Sequence, residues 1–486
     1  MEFKILSDPC AEDKSLPAFM VSNARGFLPR VNPPSVLPKE FEALENILQE
    51  MPIRKASGEP GLLDSLKLGD TIDKTFPNLV EEVDKYKDDQ IILNALYRDY
   101  SFLLSAYLFE PCYDTYRRTE GREYGLGRSV LPRSIAQPMA KVAELTGFKP
   151  FMEYAGSYAL YNYKLLDESK GMEYDNLALV RAFEYGLDNK SSEAGFVLVH
   201  VAMVQHSGGL VTGVEKALHA LLDVGASANE RTETFRNGLQ EILESLRKVN
   251  KMMDEMWQKS KPEDYASFRV FIFGIHSQPM FPNGVIYEGV FDEPQSFRGE
   301  SGANDSMVPL VDNFLCIDMP ENPLTQILKD FRNYRPGNHK QFLTWVESVS
   351  RGGDQYPSVK DFALADRHSA VLYLLILDQI REFRGRHWNF TREYILKQGK
   401  RLHPKATGGS PIVEWLPNQL TQILNAMSSI CDHISTTYGE DSLKGKDATE
   451  FGRIKDTIPR HKSSLEKEVS RFSETLASQR KPEASN

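Results

Sequence analysis

Between residues 371 and 400 the chain has no alternative to a long, deeply buried helix. The run Val371-Leu-Tyr-Leu-Leu-Ile-Leu377 is apolar on every side, and Ile376, Ile380, Phe383, His387, Phe390 and Tyr394 then recur at spacings of four and three. On a 3.6-residue helix these positions fall on one stripe. His387 stands in the middle of it. A lone histidine on an apolar face is more often a core residue with one ring nitrogen bonded to a backbone carbonyl. Here Arg384 lies one turn earlier on nearly the same face, and Arg381 and Arg386 add charge that an apolar face excludes. A neutral imidazole beside a guanidinium suits a haem, whose iron needs an axial nitrogen and whose propionates need cationic partners.

The rest of the chain repeats the helical period. Phe41, Leu44, Ile47 and Leu48 predict a helix from 41 to 52, and further helices follow over 79–107 and 135–146, the last ended by Gly147. Residues 195–204 are apolar all round apart from His200, as a central helix should be, with Phe196 one turn before the histidine. Residues 230–257 carry an amphipathic stripe from Phe235 to Met256. No internal repeat and no strand-rich block interrupts this, so the expected fold is all-α. Residues 109–114 and 124–132 read as loops, and Gly125-Leu-Gly127 lacks the strand and Lys-Ser/Thr context of a phosphate loop. Residues 151–163 are conspicuously aromatic, a packing feature or a pocket wall. Two stretches rich in small residues, 297–306 and 405–411, are the places where backbone can approach a ligand closely. Four units are expected: a proline-rich extended arm over the surface (1–40), a small helical domain (41–185), a large helical domain (186–440), and a polar tail with a short helix marked by Leu465, Val469, Phe472 and Leu476 (441–486).

Charge narrows the partners. The formal net charge of -10 over 486 residues, without a dense basic block, argues against nucleic acid. Cys10, Cys112, Cys316 and Cys431 lack the spacing of a zinc site or the density of a disulfide scaffold, so free thiols in a reducing compartment are expected. The N-terminus turns acidic too early for a signal peptide, and no apolar run approaches the roughly 20 residues that span a bilayer. A cytosolic address follows.

Taken in order, Ser101-Phe-Leu-Leu-Ser-Ala-Tyr-Leu-Phe-Glu-Pro111, Val130-Leu-Pro-Arg-Ser-Ile-Ala136, Gly195-Phe-Val-Leu-Val199, Gly284-Val-Ile-Tyr-Glu-Gly289, Phe297-Arg-Gly-Glu-Ser-Gly-Ala303, Arg384-Gly-Arg-His387 and Ala406-Thr-Gly-Gly409 resemble the indoleamine 2,3-dioxygenase family, its fungal branch in particular. The resemblance spans about residues 20–430. It implies haem b held between a small and a large helical domain, O2 as co-substrate, and cleavage of the indole C2=C3 bond of L-tryptophan to N-formylkynurenine, the first step of the kynurenine route to NAD. It makes His387 the proximal iron ligand and pairs Arg384 with a propionate and with Asp312. Arg269 matches the arginine on the substrate carboxylate, and Phe196, Tyr154, Ser157 and Tyr158 match the wall around the indole. Ser301 and Gly302 match backbone pressed on the haem, and Thr407 the threonine beside the substrate ammonium. A monomer with a small-molecule partner is expected.

The chain departs from the family pattern at the distal side. His200 stands where many animal members have serine; it can accept a bond from the indole N–H, as the distal histidine of the related tryptophan 2,3-dioxygenases does, bond to O2, or ligate the iron itself. Tyr158 replaces a smaller residue, and Glu300 and Asn304 alter the small-residue loop. Two other readings stay open: the same chemistry on another indole, and a haem or tryptophan sensor without turnover. A carboxylate-bearing substrate for Arg269 favours the first reading over the second.

Overall fold

The stripe around His387 forms the helix Arg367–Thr391, which widens into one looser turn at Arg392–Leu396. Asp366 caps its first turn by accepting from the Ser369 amide at 2.8 Å, and Arg236 holds that carboxylate at 2.6 and 2.9 Å. From Ser369 to Arg381 every residue is buried. This computed structural model describes residues 3–186, 190–317, 327, 329–397, 407 and 412–479.

The buried helix packs between Ala228–Asp254 and Ile412–Thr437, and Ala228–Asp254 packs its other side on Ser207–Leu222. A capping box of Ser227 and Glu230 starts Ala228–Asp254 two residues before the expected 230. The second long helix, Gln90–Arg118, packs on Arg133–Thr146, which ends at Gly147 in the left-handed conformation (φ 77°). The strands are marginal: Val130–Leu131 pairs parallel with Ile286–Tyr287, and Tyr163–Leu165 antiparallel with Leu177–Leu179. The fold is all-α, as expected.

Four local expectations are corrected. Residues 109–114, read as a loop, continue the Gln90–Arg118 helix through Pro111. Proline denies the Tyr107 carbonyl its helical partner, and the Arg128 side chain supplies the missing donor while also meeting the buried Glu110 carboxylate at 2.5 Å. The N-terminal arm is irregular but sunk into the core, with Phe19, Val21 and Phe27 buried and the Arg30 guanidinium donating to the carbonyls of Pro9, Cys10, Asp13, Leu16 and Pro17. The tail is one helix, Gly445–Gln479, rather than a short one. Lastly, Ser192–Leu222 is long and apolar enough by composition to cross a bilayer, but it is two helices, Ser192–Val204 and Ser207–Leu222, with 72% of the apolar window buried inside the molecule.

Candidate active site

Phe196 and His200 are the partly accessible residues of the otherwise buried Ser192–Val204, and Phe383 and His387 are partly accessible on Arg367–Thr391, beyond its wholly buried run from Ser369 to Arg381. They are accessible because they face one internal cavity, whose empty volume is about 1130 Å3 including the solvent at its mouth. Met203, Met253, Met256, Tyr265, Phe390, Tyr394, Ile395 and Leu416 complete its apolar wall. Tyr154 enters from the 151–163 stretch, and Glu300, Ser301, Gly302, Ala303, Asp305 and Thr407 form the remaining side.

The two histidines differ in what they offer. His200 Nδ1 lies 2.7 Å from the Phe196 carbonyl, which can only accept, so Nδ1 carries the proton and Nε2 is left as an acceptor. That Nε2 would lie 3.9 Å from a Cβ placed on Gly302, which lines the same cavity. Burial lowers the pKa of His200. His387 has no hydrogen-bond partner among the described residues, and burial, with the nearby His200 and Arg384, pushes its imidazolium form down to about 4. Both rings are neutral at pH 7.

Arg384, one turn before His387, is buried and donates from Nη2 to Asp312 at 2.6 Å. Its Nε and Nη1, and Asp312 Oδ1, have no partner among the described residues. Unpaired guanidinium N–H groups inside a protein are costly, and an anionic group beside them is the natural remedy. Burial raises the pKa of Asp312, with Arg384 opposing it.

The structure thus gathers Tyr154, Phe196, His200, Ser301, Gly302, His387 and Thr407 on one cavity. It sets the other expected residues one layer back. Ser157 is used locally, donating at 2.7 Å to the Glu153 carbonyl. Tyr158 packs against Phe102 and Phe183, which stack on each other, and its hydroxyl is 3.4 Å from Glu193. Arg269 ends the helix Pro262–Arg269 one turn after Tyr265, buried, with its guanidinium 4.7 Å from the Phe273 ring centre. Of the 405–411 loop only Thr407 is described; Ala406, Gly408 and Gly409 lie outside the described residues. Sequence reasoning passed over Met203, Met253, Met256 and Tyr265 as site residues. Met203 carried a signal, three residues from His200 on the same helical face.

The indoleamine 2,3-dioxygenase family profile matches residues 15–450, nearly the whole chain and every wall of the cavity. The chain belongs to the indoleamine 2,3-dioxygenase family. It is 26% identical over 399 residues to indoleamine 2,3-dioxygenase 1 of Rattus norvegicus, covering 77% of this chain and 90% of the relative. It is 24% identical over 403 residues to the indoleamine 2,3-dioxygenase of Saccharomyces cerevisiae, covering 78% and 80%. A protein of Haliotis diversicolor named myoglobin is 26% identical over 422 residues, covering 83% and 96%. Indoleamine 2,3-dioxygenases are haem-dependent, and the residues present fit a haem: a neutral imidazole with no partner among the described residues for iron, the unpaired Nε and Nη1 of Arg384 for a carboxylate, and low side chains at Ser301, Gly302 and Ala303 where a flat group must lie.

Proposed function

We propose that the protein opens the indole ring of L-tryptophan, adding both atoms of O2 across C2=C3 to give N-formylkynurenine at the head of the kynurenine route to NAD. The observation that carries this reading is the pair of neutral imidazoles, His200 and His387, on one largely apolar cavity with an acceptor nitrogen exposed on the first. His387 would hold the iron of haem b, Arg384 a propionate, and the backbone of Ser301 and Gly302 one face of the ring. Bound ferrous haem supplies the activation of O2. The protein supplies orientation. Arg269 takes the substrate carboxylate, Thr407 lies by the ammonium, and Tyr154 and Phe196 hold the indole, with Ser157 and Tyr158 bracing that wall from behind. His200 Nε2 accepts the indole N–H and so holds the ring in one direction. The apolar wall excludes water from the reacting atoms.

In this reading a small unit, 41–185, and a large one, 186–440, close on the cofactor, with Tyr154 contributed by the first and His200 and His387 by the second. A cytosolic monomer is the matching proposal, supported by four cysteines that are all free thiols. The relative named myoglobin favours a second reading, a haem protein that binds ligands without turnover. Absorbance of haem-loaded, reduced protein with L-tryptophan and O2 separates the two. Formation of N-formylkynurenine supports the dioxygenase; a Soret band perturbed by tryptophan with no product supports the second reading.

A further inference from the structure

Glu300 is a buried carboxyl with nothing to bind. It is 4% exposed, lines the cavity, and its carboxyl has no hydrogen-bond partner among the described residues. Chain geometry leaves it little freedom. The backbones of Gly274 and Gly299 cross so closely that a Cβ on either would lie 2.1 to 2.2 Å from the other's amide region, at Gly299 N and Gly274 N respectively. The amides of Ile275 and His276 both donate to the Phe297 carbonyl at 2.8 Å, on the near side of that crossing. On the far side the Thr407 hydroxyl donates to the Glu300 carbonyl at 2.7 Å. The segment bearing Glu300 is therefore pinned at both ends, on the cavity that Tyr154 and Tyr265 also line.

An unpaired buried carboxylate is unfavourable by several kcal/mol in the abstract, and a protein keeps one where a cation or donor comes to it. Burial and the neighbouring Glu153 push the Glu300 carboxyl up to about 8, so the empty cavity holds it largely protonated. Glu153 does not compete for an incoming cation, because the amides of Ala155 and Gly156 already donate to its carboxylate. Arg269 follows Tyr265 by one turn on the same helix, so the cation proposed for the substrate carboxylate belongs to the wall that Tyr265 forms.

We infer that Glu300 is a specificity-determining residue of this cavity, the acceptor for the protonated amine of an indole substrate. This rests on the tryptophan reading above for the identity of the indole, and on the cavity alone for the amine. Binding to haem-loaded protein, read from the Soret shift without O2, tests it with three ligands. These are L-tryptophan, tryptamine, which keeps the amine and lacks the carboxylate, and indole-3-propionate, which keeps the carboxylate and lacks the amine. Glu300→Gln is expected to weaken tryptophan and tryptamine at least tenfold and to change indole-3-propionate less than twofold, and Glu300→Asp to recover part of the loss. Equal weakening of all three ligands, or none, overturns the inference. Wild-type protein that binds tryptamine in a Glu300-dependent way but not tryptophan overturns the tryptophan reading and leaves Glu300 standing. Wild-type protein that binds neither amine overturns both.

Discussion

His387 and His200 sit on the same cavity with opposite equipment, and substitutions distinguish their parts. His387 is the partnerless imidazole beside Arg384, so His387→Ala is expected to lose haem; an intact Soret band in that variant refutes its role as the iron ligand. His200 has one nitrogen committed to the Phe196 carbonyl and one open to the cavity. His200→Ala should retain haem and lower tryptophan affinity, and stopped-flow spectra that match wild type would rule out a part for this ring in binding. Arg269 is buried at a helix end, on the face of Phe273. Arg269→Ala should keep the Soret band and cost tryptophan binding on the order of 2 to 4 kcal/mol, since a buried carboxylate is then stranded. Calorimetry on the haem-loaded protein measures it.

At the scale of elements, the helix Gly445–Gln479 bears on the helix that carries His387. Buried Asp378 accepts from Arg381 at 2.7 Å and from Arg453 of the C-terminal helix at 2.6 Å. Trp388 and Arg392 both donate to Glu468, at 2.7 and 3.0 Å, and Phe472 meets Trp388 edge-on at 5.9 Å. Trp388 is the residue after His387, so this brace stiffens the histidine's own turn. Most of it lies beyond residue 450, where the family match ends. Removing residues 445–486 is expected to leave the other helices folded and to speed haem loss to apomyoglobin severalfold; an unchanged rate would show that the helix is only a cover. The Pro111 helix has a comparable dependence on a distant residue. Arg128→Met leaves the Tyr107 carbonyl without a donor and removes the cation from Glu110, which keeps only the amides of Leu68 and Gly69, and should destabilise the fold by about 2 to 3 kcal/mol in urea titration.

Across the whole molecule, buried ionisable groups set the response to pH. Burial pushes Glu153, Glu193 and Glu300 up to about 8 from an ordinary 4.5, and pushes His339 and His387 down to about 3 and 4 from 6.5. The carboxyls stabilise fully below 4.5 and lose that contribution as pH rises to 8. The histidines stabilise fully above 6.5 and lose it as pH falls to 4 and below. The two effects oppose each other between 4.5 and 6.5. Three carboxyls against two histidines leave a shallow net loss as pH rises through that window, so the urea midpoint of the haem-free protein should be highest near pH 4.5, decline gently to 6.5 and more steeply to 8, and fall again toward pH 3; a midpoint still rising from pH 6.5 to 8 would contradict the burial of the three carboxyls.

The amino-acid sequence by itself determined the helices and the chemistry-bearing positions. The period of four and three around His387, the apolar run around His200 and the Gly147 stop are local signals, set by backbone geometry within a few residues, and each was legible. What only the tertiary structure decided depends on partners far along the chain. Pro111 continues a helix because Arg128 replaces a lost donor, and Ser157 and Tyr158 fall behind the cavity wall because Glu153 and Glu193 hold them there. Met253, Met256 and Tyr265 join the wall only once their helices are packed against the two histidine helices. Periodicity assigns a side chain to a face; which faces meet around an empty space is settled by close packing of the whole core.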